Sequence, residues 1–229
     1  MPTFNADPAQ RALLHTDRIE WAPSPLPGVT RRMLARTGDE IARATSIVRY
    51  APGSVFSAHT HGGGEEFLVL EGVFSDEHGD YPAGWYLRNP PGTSHTPSSS
   101  PGCLIFVKQW RFAADDLTPV RLNTHAAKAW TSTRDTGVEV CPLHRYGPQL
   151  TVLERWAPHA ESTHDAAPHG EELLVIEGEL SDDHGRYPAG TWLRQPLRAG
   201  VTRRAGPAGA RVYRETGASH VPLIRLPST

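Results

Sequence analysis

Gly53-Ser-Val-Phe56-Ser-Ala-His59-Thr-His61-Gly-Gly-Gly-Glu65-Glu66-Phe67-Leu-Val69-Leu-Glu-Gly72 runs into a turn-rich segment, then resumes with Gly84 and with Pro90-Pro91-Gly92-Thr-Ser-His95. Three imidazoles and one carboxylate are thus spread over two short β-like runs. Alternate side chains of a strand share a face, so His59 and His61 point the same way. The apolar run from Phe67 to Leu70 ends on Glu71-Gly72, a turn signal, and reads as a strand. Glu65 has the parity of Phe67 and Val69 and faces where they face. A buried carboxylate beside buried imidazoles is costly unless something neutralises it. A divalent cation does so, and it also satisfies the imidazole lone pairs. The three glycines let the backbone fold back toward the histidines. Pro90-Pro91-Gly92 is a rigid turn that can set His95 beside them from a neighbouring strand. His59, His61, Glu65 and His95 are therefore the candidate ligands of one divalent metal ion. Each histidine must be neutral to bind, so the metal is expected to leave as the pH falls below about 6.

These two motifs match the pair that defines cupins, small β-barrels of the jelly-roll type. The stretch from Gly64 to Glu77, with Tyr81-Pro-Ala-Gly84 and Asn89-Pro-Pro-Gly92, more specifically resembles the ChrR-type cupins. That group includes the C-terminal domain of the ChrR anti-sigma factor and is similar to acetylacetone dioxygenase-like proteins. The resemblance implies the same four ligands. Its dioxygenase relatives generally use histidines alone, so Glu65 places the chain nearer the ChrR side. Ser99 stands where many cupins have an asparagine, a position that is not a ligand.

The chain then repeats itself. Residues 65–90 align with 171–196 without gaps, and 17 of the 26 positions are identical. Trp21 and Gly28 match Trp130 and Gly137, so the repeat reaches across both halves, far beyond a solenoid period. The expected fold is all-β, with two tandem cupin (double-stranded β-helix, jelly-roll) barrels. The expected domains are 1–115, binding metal, and 116–229, a degenerate copy, with Asp115 to Pro119 as the linker. In the second copy His59 aligns with Asp165, His61 with Ala167 and His95 with Val201. Glu171 alone remains at a ligand position. His159, His164 and His169 fall out of register, and Leu197 and Arg198 replace the Pro-x-Gly turn. A structural or pocket-shaping role is expected for this copy.

The 21 glycines and 21 prolines in 229 residues argue for short strands between many turns. Net charge is −2 with no basic run, which argues against nucleic acid and anionic membranes as partners. No apolar run approaches a membrane span, and the N-terminal residues lack a signal-peptide core. Cys103 and Cys141 read as buried free thiols, and a cytoplasmic location is expected. Residues 1–20 read equally as a helical turn or an arm. Trp21 to Gly28, with three prolines, reads as an extended edge or loop.

Phe56, Phe67, Val69, Tyr86, Cys103 and Ile105 are the candidate pocket-lining residues. Glu66, of opposite parity to Glu65, is expected to face outward toward Arg88. The expected cofactor is one divalent ion, zinc or iron, and the expected partner a small organic molecule. Monomer and homodimer both remain open. The resemblance suggests a metal-dependent enzyme, such as a dioxygenase of a carbonyl compound. Its alternative is a non-catalytic metal-binding sensor related to the ChrR cupin domain. The first residues read as leading directly into the cupin, without the zinc-binding helical domain of ChrR, which ranks the enzyme ahead.

Overall fold

The computed structural model describes residues 3–38, 41–197, 200–218 and 223–226, with the side chains of Pro168, His169 and Leu197 outside the description. Arg198 therefore lies outside the described residues, and the readings placed on His169 and Leu197 fall on side chains outside the description. Among the described residues strands dominate, and helix is limited to two single turns, Thr16–Arg18 and Ala127–Ala129. The chain forms two compact units, each built on one large antiparallel sheet.

In the first unit the strands lie in the order Val120–Asn123, Trp85–Asn89, Glu65–Asp76, Cys103–Gln109, Arg43–Tyr50, Val29–Thr37, Ala22–Pro23. The Trp21–Gly28 segment thus contributes a two-residue edge strand, as its prolines require. The short strands Ser54–Val55, Ser98–Ser99 and Gly79–Pro82 extend the far half of Glu65–Asp76. The inner face gathers Phe67, Val69, Phe74, Tyr81, Leu87, Cys103, Ile105 and Val107 into one core. A bulge shifts the register between Leu104 and Ile105. The bulge changes parity, so the even-numbered Phe74 joins the odd-numbered Phe67 and Val69 inside. Each such side chain contributes roughly 1.5–3 kcal/mol on burial. Leu34, Ile47, Leu68, Tyr86 and Phe106 are buried as well.

The second unit repeats the plan: Ala12–His15, Thr191–Leu197, Ala167–Asp182, Val201–Thr216, Gln149–Trp156, Val138–Tyr146, Thr131–Ser132. Its core contains Val138, Trp156, Leu173, Val175, Leu180, Tyr187, Leu193 and Val212. Gly72 and Gly178 are equivalent in the two copies. At each, a β-carbon would stand 2.0 Å from a backbone carbonyl oxygen, that of Gly102 or Gly209, and φ is positive. Glycine is the residue that meets both conditions.

The compact units depart from the contiguous halves 1–115 and 116–229. Asp7–Arg18 belongs to the second unit, whereas the first runs on to His125. Ala12–His15 pairs with Thr191–Arg194, and Val120–Asn123 pairs with Trp85–Arg88. The first strand of each repeat is therefore given to the other repeat's sheet. The apolar pair Leu13-Leu14 explains the first case, since Leu13 packs on the second core. The Asp115–Pro119 stretch is likewise no free linker, because Asp116 is buried and ion-paired to Arg88 at 2.6 Å.

Candidate metal centre

Two short strands, His59–Thr60 and Ser94–His95, pair antiparallel with His59 directly opposite His95. A bond of 2.8 Å between the Thr60 and Ser94 hydroxyls ties them together. His61 follows the first strand. Its N–H donates to the Thr93 carbonyl at 2.9 Å and its carbonyl accepts from the Gly92 N–H at 2.8 Å. The proline turn is thus bonded directly to the second histidine. The glycine run serves a second need beyond turning. A β-carbon on Gly63 would sit 2.1 Å from the Trp110 ring, and one on Gly64, where φ is +76°, 2.5 Å from the Phe112 ring. Trp110 itself is held at φ +58° and donates its N–H to the Gly64 carbonyl at 3.0 Å. A bulky residue in the left-handed region carries strain, and here it closes over the loop that carries His61 and Glu65.

The three imidazole rings meet with centroid separations of 4.9, 4.9 and 4.6 Å. One nitrogen from each lies within 4.8 Å of the others. Glu65 Oε2 stands 3.7 Å from His61 Nε2 and 3.8 Å from His95 Nε2. These separations are too long for hydrogen bonds. They are close to the ~3.4 Å at which ligands stand apart when each is about 2.1 Å from one tetrahedral ion. His61 Nε2 and His95 Nε2 are buried without a hydrogen-bond partner. Each orphan of this kind costs about 1–3 kcal/mol. A cation shared by these nitrogens and the Glu65 oxygen would remove that cost, so the donor set fits a metal ion.

Outer contacts orient the donors. His95 Nδ1 faces Asp76 Oδ2 at 3.6 Å, His59 Nδ1 lies 3.3 Å from the Ser57 carbonyl, and Gln109 Nε2 donates to Glu65 Oε1 at 3.1 Å. Such partners select which ring nitrogen stays available. Sequence reasoning missed Asp76. The signal for Asp76 was its recurrence as Asp182 in the repeat. Among the pocket candidates, Phe67, Val69, Cys103 and Ile105 lie in the inner core, and Phe56 packs edge-on against Tyr50 at 5.0 Å. Tyr86 requires a correction. It has the opposite parity to Leu87, and its hydroxyl donates to Glu66 Oε2 at 2.7 Å. Glu66 does turn away from the inner core and toward Arg88, at 3.4 Å, but it is 2% exposed rather than at the surface.

Burial lowers the His61 pKa, with His95, His59 and Arg121 adding to the shift and Glu65 opposing it. Burial pushes Asp76 up, but the nearby His95 imidazole, the hydrogen bond from the His78 N–H and the Arg121 charge bring it below its ordinary value. Burial pushes the Cys103 thiol up to about 11, opposed by Ser99, which makes it an inert thiol at neutral pH. Tyr50 is also raised, by burial and then by Glu65 and Cys103. For His61 the unfolded chain binds the proton more readily than the folded one. Stability of the metal-free protein is therefore full above about pH 6.5 and declines as the pH falls from there toward the depressed folded-state value. Denaturant unfolding of metal-free protein between pH 8 and pH 5 should show this decline, and a flat profile would contradict it.

Among the described residues, the second unit holds no comparable trio of metal-ligating side chains. None of the described helices is long and apolar enough to cross a membrane.

Among solved structures the chain is similar to a candidate dioxygenase from Nostoc punctiforme, with 14% identity, TM-score 0.71, and coverage of 97% of this chain and 88% of that one. It is similar to YhhW from Escherichia coli, with 14% identity, TM-score 0.67, and coverage of 95% and 100%. It is also similar to the 11S allergen of Cocos nucifera, with 12% identity, TM-score 0.66, and coverage of 90% and 89%. At such identities these likenesses speak to the fold alone. Among curated proteins none matches. The model of the ChrR cupin-like domain matches twice, over residues 9–113 and 119–220. With a jelly-roll sheet in each unit and this match over nearly the whole length, the chain belongs to the ChrR cupin-like family.

Proposed function

We propose that His59, His61, His95 and Glu65 hold one divalent metal ion, zinc or iron, and that the first unit uses it to act on a small organic molecule. The observation that carries this reading is the meeting of three imidazoles, with Glu65 beside two of them, at a place that solvent can reach. His61 and His95 are buried, yet His59 and Thr60 are exposed. The four ligand side chains would leave two open positions on a six-coordinate ion and none on a four-coordinate one. A bound metal would supply Lewis-acid or oxygen-binding chemistry. The protein's own part is to orient the ligands through Asp76, Gln109 and the Ser57 carbonyl, and to offer an apolar wall. Phe67, Val69, Leu87, Ile105 and Val107 are packed in the core of the same unit. An apolar lining of this kind would suit a small carbonyl compound better than a sugar phosphate.

The finer reading is a dioxygenase of a carbonyl compound such as a β-diketone. Oxygen consumption by iron-loaded protein with acetylacetone should exceed that of His61→Ala by at least about 100-fold, since a bound metal lost to the solution takes its chemistry with it. Equal rates in the two proteins would sink the enzymatic reading. The family match favours a second reading, a non-catalytic sensor module. In that case the compound would bind to metal-loaded protein by calorimetry with no oxygen consumed.

A further inference from the structure

In the second unit Glu171 and Asp182 occupy the repeat positions of Glu65 and Asp76. Both carboxylates are buried, Glu171 at 2% exposure. In the first unit their counterparts flank His95: Asp76 on Nδ1 at 3.6 Å and Glu65 on Nε2 at 3.8 Å. In the second unit the same two carboxylates flank Arg203. Its two terminal nitrogens donate to the two Glu171 oxygens at 2.9 and 2.6 Å, and its Nε lies 3.6 Å from Asp182 Oδ2. Arg203 is 1% exposed. On the backbone Arg203 stands two residues beyond the His95 position, since Ser181 pairs with Arg204 as Ser75 pairs with Ser98, which sets Val201 against His95. The correspondence is therefore one of side-chain placement between the two carboxylates, which an alignment of positions does not show.

We infer that the second unit retains the anionic half of the cation site and that the Arg203 guanidinium is its permanent occupant. One side chain there replaces both the last histidine and the ion. The planar fork holds Glu171 at two atoms, as an ammonium group does not, and sets its charge 3.6 Å from Asp182. The geometry of Glu171, Asp182 and Arg203 stands whether or not the first unit binds metal. The second unit therefore needs no metal to fold. Its buried carboxylates will accept a small guanidinium-type cation once the native one is removed.

The test uses the full chain. Arg203→Ala should lower the Tm of the second unit by roughly 10 °C or more, as expected when buried carboxylates lose their partner. Millimolar methylguanidinium should restore at least half of that loss, while sodium chloride at the same ionic strength should not. Wild-type protein should show no such gain. Should Arg203→Ala fail to fold, a variant that also carries Glu171→Gln and Asp182→Asn should recover soluble protein, because the unpaired charges leave with the cation. The inference is overturned by an Arg203→Ala Tm equal to the wild type, by a folded variant that ignores methylguanidinium, or by a triple variant no more soluble than the single one.

Discussion

His61→Ala is expected to reduce bound metal from one ion per chain to less than about a tenth at micromolar protein, because loss even of outer partners costs 10–100-fold in affinity and a direct ligand more. The substitution removes His61 Nε2, one of the buried ring nitrogens of the site that have no hydrogen-bond partner. It also leaves Glu65 Oε2 with a single imidazole neighbour, His95, at 3.8 Å. His78→Ala supplies the control. His78 is exposed, and its contact with Asp76 is through its backbone N–H, which alanine keeps. Elemental analysis after dialysis against the free ion should separate the two variants cleanly. Equal metal content in both would show that the ion, if present, is held elsewhere.

Arg88→Met is expected to destabilise the first unit by about 3–5 kcal/mol, since breaking a buried ion pair strands the charge left behind. Arg88 is 1% exposed and joins two carboxylates. It holds Asp116 bidentately at 3.1 and 2.6 Å, and its Nε lies 3.4 Å from Glu66 Oε2. The guanidinium also lies 3.8 Å above the Phe112 ring. Methionine fills much of the volume but returns none of the charge. For a unit of this size the loss corresponds to a fall in Tm of roughly 15–25 °C. Scanning calorimetry reads it directly. A fall of only a few degrees would mean that water reaches Glu66 and Asp116 and that the network is an ordinary surface pair.

Much of this was open to sequence reasoning, for identifiable reasons. The repeat is nearly gapless where the turns are tight, because Gly72 and Gly178 tolerate no side chain. Strand parity was enough to put Glu65, Phe67 and Val69 on one face, since the period of two holds until the bulge. What parity cannot reveal is how deeply the other face is buried. Glu66 and Arg88 look like a solvent-facing pair, and Tyr86 like a pocket aromatic, until Asp116 and Phe112 are found packed there. The exchanged first strands were illegible for a different reason. Ala12–His15 and Val120–Asn123 are four-residue segments, and nothing in four residues states which of two similar sheet edges they will join. Arg203 was missed because the eye follows alignment columns, whereas the charge balance follows Glu171 and Asp182.

The most direct test of the metal centre is an anomalous difference map from crystals grown with zinc or iron. The account predicts one peak per chain, bonded to His59, His61, His95 and Glu65, with Arg203 still seated between Glu171 and Asp182. A map with no peak among those four side chains, or with the ion bound at a different place, would contradict it.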